Sequence, residues 1–326
     1  MTLDEAALFL KANDEYIIVS HDGPDADGLG AAYALALLLR ASGKKAWPVV
    51  SERLGGKFAF IDQEGIFIDM DSPEDLPVEV ENAAFIVVDT HDIGYLGAKI
   101  EPLVSQASRL LVLDHHEPKT AMQSSFCLDP TASSTCELAF VLSQKLGVAL
   151  PVDACEAIFA GIVYDTGSFA YPKTSERTFS CALDLVRAGV QPYVIHRKMY
   201  ESSQVGVLLL QKLVLSTLEL VSDNRVAIQT LRRSTLEESG AAYEDAEELI
   251  NTPLQGGTIE VSVFFKETLE GKLRCSLRSK GKVNVAHIAQ NFGGGGHKTA
   301  SGFTCNRPLE AMKAAVLETI IKALGT

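Results

Sequence analysis

The chain has 326 residues, 47% of them hydrophobic, and its 42 Asp+Glu against 29 Lys+Arg give a formal net charge of −13. That size predicts two folded domains rather than one, and the composition excludes a disordered chain. Six cysteines with no CxxC pair exclude a thiolate zinc site and read as small buried hydrophobes in a reducing compartment.

In chain order, the apolar stretch 16–20 predicts a buried strand, followed by a Gly/Pro/Asp turn and a helix over 29–40. Stretches 46–50, 85–89 and 110–114 are short and apolar, as central parallel strands are. Helices are expected over 134–146, 153–164 and 175–188. This alternation predicts an α/β lobe with a mainly parallel sheet flanked by helices over 1–190. Stretch 194–220 reads as a helical connector, within a linker at 191–222. The remaining residues, 223–326, form a smaller α+β lobe. There Ile259, Val261, Val263 and Phe265 alternate with their neighbours, as do Leu273, Cys275 and Leu277, predicting half-buried strands. A closing helix begins near Pro308. The longest apolar run, 31–39, is far short of the ~20 residues that span a bilayer. Met1 leads into a mixed polar stretch and not into a basic, then apolar leader. The expectation is a cytoplasmic chain with no membrane partner.

The chemistry is concentrated at element ends. After the first strand come His21, Asp25 and Asp27, with Gly28 and Gly30 where backbone must approach something closely. An imidazole and two carboxylates at a strand's C-terminal end sit where open α/β sheets bind ligands. Alone, an acidic turn capping a helix is the lesser alternative. The next strands end in Asp89-Thr90 and in Asp114-His115-His116, and an apolar helix ends in Asp165. Strand-end Asp is common in turns, but four elements delivering such groups together point to one site. Imidazole and carboxylate without thiolate suit Mn²⁺, and Mg²⁺, Co²⁺ or Zn²⁺ less selectively. Two such cations would offset four Asp, and a metal pair is the usual device for phosphoester hydrolysis.

The second cluster is Gly293, Gly294, Gly295 and Gly296, followed by His297 and Lys298. Consecutive glycines can expose N–H groups as an anion-binding nest, and Arg278 beside Ser279 offers a fork suited to phosphate. A glycine run is also an ordinary flexible loop. The stretch 272–298 holds six basic residues and no acidic one, which favours phosphate. His91 reads as a polar loop residue beside the site, with extension of the metal shell or contact with substrate the lesser alternative. His196 and His287 read as packing or surface residues, Asp22 as a turn former or else a support of the ligands, and Asp114 as orienting His115.

These motifs resemble those of the DHH phosphoesterase superfamily: His21/Asp25/Asp27, Asp89, the Asp114-His115-His116 triplet and Asp165. Gly293 to His297 with Arg278-Ser279 resembles its DHHA1 domain, and the length is similar to the bacterial nanoRNase/pAp-phosphatase group. The resemblance implies one Mn²⁺ on His21, Asp25 and Asp89, and a second on Asp27, Asp89, His115 and Asp165, with Asp89 bridging. It implies that the metals activate water, and that His116 meets the scissile phosphate or the leaving oxygen. Arg278, Ser279, the four glycines and His297 would bind the far part of the substrate across the cleft between domains. The implied substrates are short single-stranded RNA or small phosphorylated nucleotides such as 3′-phosphoadenosine 5′-phosphate (pAp), and not duplexes. Ser133, Ser134 and Thr135 read as a helix cap. Two departures bear on nucleotide contacts: Ala31 follows Gly30 where many members have Ser, and Tyr95 lies near the place of an absent Arg. A pyrophosphatase, a longer DNA exonuclease, a membrane-linked cyclic-dinucleotide phosphodiesterase and an inactive nucleotide binder are the alternatives on the same scaffold.

Overall fold

Short apolar strands buried on both faces organise the first half of the chain. The structure, a computed structural model, describes residues 1–52, 54, 56–70, 76–118 and 124–325. It divides into two units, Met1–Ser202 and Ser203–Thr326.

The first unit opens with α1 (Leu3–Ala12), β1 (Glu15–Val19), α2 (Ala26–Ala41), β2 (Lys45–Val50) and β3 (Ile68–Asp69). It continues through β4 (Ala84–Val88), α3 (Gly97–Ser105), β5 (Leu110–Asp114), β6 (Phe126–Leu128), α4 (Thr135–Leu146), α5 (Val152–Asp165), α6 (Glu176–Arg187) and α7 (Pro192–Tyr200). The strands form one parallel sheet in the order β3-β2-β1-β4-β5-β6. Alternate residues serve two cores. Ile17, Val19, Phe85 and Val87 pack on one face, while Tyr16, Ile18, Ile86 and Val88 pack on the other. The chain leaves β1 toward one edge and returns to β4 on β1's other side. Strand order therefore reverses between β1 and β4, and the crevice at their C-terminal ends is where such sheets bind ligands.

Helix α2 is buried from Ala26 to Leu39, because α4 and α5 cover it. Glycines allow that approach. A Cβ on Gly30 would lie 2.5 Å from the Ala157 carbonyl oxygen, and one on Gly161 would lie 2.3 Å from Cys136 Sγ. The helix starts at Ala26, earlier than the expected 29, because Asp25 caps it.

The second unit contains α8 (Val205–Leu215), β7 (Glu219–Val221), β8 (Val226–Leu231), α9 (Arg233–Ser239), β9 (Val261–Glu267), β10 (Leu273–Ser279), α10 (Val285–Gln290), β11 (Gly295–Gly296), β12 (Ala300–Cys305) and α11 (Leu309–Ala323). Its sheet runs β11-β12-β10-β9-β8-β7, parallel only between β8 and β9. The alternating residues Val261, Val263, Phe265, Leu273, Cys275 and Leu277 face a core shared with α10 and α11. On the opposite face Phe264 and Leu231 pack under Leu210 of α8 and Leu236 of α9.

One expectation is corrected in detail. Stretch 194–220 is not a single connecting helix but α7, α8 and the start of a sheet, since Leu220 lies in β7. Helix α7 stops before Ser202, whose hydroxyl donates to the Lys198 carbonyl at 2.6 Å. Such local bonding by serine competes with helix continuation.

The close contact of α2 with α5 predicts a contrast between two glycines. Gly30→Ala should cost about 1–3 kcal/mol, since backbone must shift to admit one methyl. Gly257→Ala, which meets nothing within 4 Å, should be near neutral. Urea unfolding followed by circular dichroism compares them, and equal midpoints would contradict the packing described.

Candidate metal centre

The site is assembled from the ends of β1, β4, β5 and α5. Past β1, the Asp25 carboxylate caps α2 by accepting N–H groups of Asp27 and Gly28 at 2.9 and 3.3 Å. Asp27 follows in the first turn and is wholly buried. Its two oxygens accept the N–H groups of Thr135 (2.7 Å) and Cys136 (2.8 Å), the first residues of α4. Helix N-termini carry unpaired N–H groups and positive dipole ends, so a buried carboxylate is favoured there. A Cβ on Gly28 would lie 2.2 Å from Ser20 Oγ, so glycine lets this turn close.

Asp89 follows β4 with φ of 63°, in the left-handed region that a non-glycine residue uncommonly adopts. It is 4% exposed, and its Oδ1 accepts the Thr135 hydroxyl at 3.1 Å. His115 and His116 follow β5, and Asp165 is the last residue of α5.

These elements bring all six expected ligand residues together. His21 Nε2 lies 3.6 Å from Asp89 Oδ2, and His115 Nε2 lies 3.6 Å from Asp89 Oδ1. His115 Nε2 is also 3.0 Å from Asp165 and 3.8 Å from Asp27. His21/Asp25/Asp89 and Asp27/His115/Asp165 each offer ligand atoms within 4.8 Å of one another. Asp89 thus stands between the His21/Asp25 pair and the Asp27/His115/Asp165 triad. Both ring nitrogens of His115 are buried without a hydrogen-bond partner, although three carboxylates surround Nε2. An orphaned imidazole among carboxylates, with no thiolate, fits a divalent cation of the Mn²⁺ or Mg²⁺ kind.

The electrostatics agree. Burial pushes the Asp89 carboxyl well above the usual range, and the charges of Asp27, Asp25 and Asp165 add to it. Burial also raises Asp27, with Asp165 reinforcing, and raises Asp25, with Asp27 reinforcing. Burial would lower His115, but Asp165 and Asp27 turn the balance and raise it. Asp114 behaves oppositely. Burial alone would raise it, yet hydrogen bonds from His116 and His91 hold it well below the ordinary value. A cavity of about 530 Å³ opens over these groups, lined by His21, Asp25, Asp89, His91, Tyr95 and His116 among others.

Two neighbours, Asp114 and His91, differ from the first expectation. Asp114 orients the ring of His116, not that of His115: its Oδ1 accepts His116 Nδ1 at 2.7 Å. His91 is 7% exposed and bonded through Nδ1 to Asp114 Oδ2 at 2.6 Å, so it is part of the site rather than a loop polar group. Asp22 holds the loop, accepting from Ser51 Oγ and donating its N–H to the Tyr95 carbonyl. Ser134 caps α4 as expected. Thr135 and Cys136 went unforeseen as supports of Asp27, because their donors are backbone groups without a side-chain signature. His196 and His287 are exposed.

In the second unit, the glycine run is not an open nest. Gly293 and Gly294 donate their N–H groups to the Gln290 and Ala289 carbonyls, closing α10. Gly294 also passes so close to β12 that a Cβ would lie 2.2 Å from the Gly302 carbonyl oxygen. Gly295 and Gly296 form β11, and they and His297 are exposed. Arg278, at the end of β10, is partly exposed, whereas Ser279 is buried with its hydroxyl on the Val283 carbonyl at 2.7 Å.

Residues 15–162 match the model of the DHH family, N-terminal domain, and residues 223–326 match that of the DHHA1 domain. The chain is 29% identical over 315 residues to the bifunctional oligoribonuclease and PAP phosphatase NrnA of Bacillus subtilis, covering 95% of each. It is 28% identical to the cyclic-di-AMP phosphodiesterase GdpP of the same organism, over 93% of this chain and 47% of that one. In fold it is similar to an exopolyphosphatase-related protein from Bacteroides fragilis, with a TM-score of 0.87 at 24% identity, covering 99% of this chain and 95% of that one.

Because the carboxyls of Asp25, Asp27 and Asp89 are raised in the fold, the folded chain holds protons that the unfolded chain releases. The stability that these three groups contribute to the metal-free protein is therefore lost as pH climbs above ~3.9, the unfolded Asp value, through their raised folded values. A cation displaces these protons and binds more tightly where they leave readily. After EDTA treatment, added Mn²⁺ should raise Tm more at about pH 7.5 than at about pH 5. Equal shifts, or none, in differential scanning fluorimetry would count against a carboxylate-bound cation.

Proposed function

We propose, for a chain that belongs to the DHH family and carries a DHHA1 domain behind its DHH domain, a hydrolase of phosphoester bonds that cuts short oligoribonucleotides and dephosphorylates pAp with Mn²⁺. The observation that carries this reading is the Asp89 carboxylate lying between the His21/Asp25 pair and the Asp27/His115/Asp165 triad. Similarity to an oligoribonuclease and PAP phosphatase along 95% of the chain supports it.

His21, Asp25 and Asp89 would hold one Mn²⁺, and Asp27, Asp89, His115 and Asp165 a second. Bound there, divalent cations would acidify water and neutralise the phosphoryl oxygens. The remaining work falls to the chain. Thr135 and the start of α4 fix Asp27 and Asp89 in one place. Asp114 accepts the Nδ1 proton of His116, which leaves His116 Nε2 to meet the scissile phosphate or the leaving oxygen. In the second unit, Arg278, Gly295, Gly296 and His297 would bind a distal part of the substrate. Gly293, Gly294 and Ser279 would shape that surface, since their own donors are engaged. A formal charge of −13 disfavours a duplex partner, whose affinity rests on neutralising many phosphates. All six ligand positions keep suitable residues, which opposes an inactive nucleotide binder. The match to part of a cyclic-di-AMP phosphodiesterase makes dinucleotides a natural second substrate class.

A panel in Mn²⁺ buffer tests the reading: pAp, 5′-pGpG, labelled di- to pentaribonucleotides, pyrophosphate and polyphosphate. Mononucleotide from the short RNAs, or phosphate from pAp, is the expected result. Pyrophosphate as the sole good substrate would overturn it. Asp89→Ala should lower kcat/KM by about a thousandfold or more, since several kcal/mol of transition-state stabilisation would go. His297→Ala should raise KM about tenfold with little change in kcat. An unchanged KM on every nucleotide would remove the second unit from substrate binding.

A further inference from the structure

We propose that His91 is a positioning residue of this site, acting through Asp114 on His116. It rests on the preceding reading only for the part that His116 plays.

Asp114 is wholly buried, and its two oxygens are differently occupied. Oδ1 accepts the N–H groups of His115 and His116 at 2.7 and 3.1 Å and the His116 Nδ1 proton at 2.7 Å. Oδ2 is held by His91 Nδ1 at 2.6 Å. A carboxylate is planar, so pinning Oδ2 also fixes where the lone pairs of Oδ1 point. His91 is itself held on its far side by an edge-on contact with Phe126 of β6, at 6.5 Å between ring centres. The result is a continuous chain of contacts from β6 through His91 and Asp114 to the half-exposed ring of His116.

That ring has a competing acceptor. Asp89 Oδ1 lies 3.9 Å from the same His116 Nδ1. With His91 removed, Asp114 can tilt, and His116 can turn toward Asp89. His116 would then be misplaced, and an oxygen of Asp89 would be drawn from its own task. A donor on Oδ2 prevents this. The position calls for a side chain with a nitrogen donor close to its backbone, and asparagine can supply one at nearly the place of the imidazole Nδ1.

The test uses the full chain. With Mn²⁺ and a labelled diribonucleotide, His91→Ala should lower kcat about ten- to hundredfold at nearly constant KM, the usual result of misplacing a reacting group. His91→Asn should regain most of it. Adding His91→Ala to His116→Ala should lower kcat no further, because one acts through the other. In metal-free protein, proton NMR should show a far-downfield Nδ1–H signal for His116 that His91→Ala shifts or abolishes and His91→Asn preserves. Independent, multiplying effects of the two substitutions would overturn the proposal, as would a His116 signal indifferent to His91→Ala. Full activity in His116→Ala would instead overturn the role given to His116, and the proposal with it.

Discussion

Asp27 and Asp89 are 0% and 4% exposed, so their carboxylates are almost entirely removed from water. An uncompensated buried charge costs several kcal/mol, and like charges nearby add to that cost. The fold offsets it in a specific way. Asp27 is placed on the N–H groups opening α4, and Asp89 on the Thr135 hydroxyl of the same helix. These donors are too few for a cluster that also includes Asp25 and Asp165. Protons at low pH make up the balance and cations would do the same, so the same groups are both raised in pKa and suited to a metal. The close glycine contacts of α2 with α5, and the left-handed backbone of Asp89, follow from the need to bring these groups to one point.

Helix α4 therefore has to be fixed as firmly as the carboxylates it supports. Its anchor is Glu137, one turn in and 0% exposed. That carboxylate accepts the hydroxyls of Ser133 and Thr178 at 2.6 and 2.8 Å and pairs with Arg177 Nε. Arg177 continues to Asp129, 2.8 Å away in the loop after β6. The start of α4 is thus tied to α6 and to the sheet edge by a buried polar network. Removing one member would leave a buried charge unpaired, the situation in which such networks are most costly to break.

The parallel strands were legible because residues buried on both faces must be apolar, and 16–19, 85–88 and 110–113 are. The groups at their ends were legible for a related reason: an Asp or His after an uninterrupted apolar run stands out. What failed to show was anything carried by backbone or by distance. Thr135 and Cys136 support Asp27 through peptide N–H groups, and Asp114 chose His116 over its nearer neighbour in sequence. His91 looked like a loop residue, since only the fold brings it to Asp114. Strands β3, β6, β7 and β11 have two or three residues each, too few for any period to register. The glycine run kept two readings open, and half of it proved to be a helix terminus. The break between α7 and α8 was hidden by serines, which interrupt a helix without the clear mark of proline.

The charge distribution acquires a sharper meaning from this geometry. Residues 1–222 carry 16 Lys+Arg and 30 Asp+Glu, a difference of −14, while 223–326 carry 13 and 12, or +1. A phosphate approaching the first unit meets an acidic body, but charges beyond roughly 8–10 Å are largely screened at physiological salt. What it meets at close range is set by the four carboxylates and whatever neutralises them. Two dications would change the formal total from −13 to −9, and the whole change would fall where the phosphate arrives. On the proposed function, a substrate gains only from phosphates that reach this small region or the basic stretch 272–298. A short substrate needs only that local charge, whereas a duplex binder must neutralise many phosphates at once.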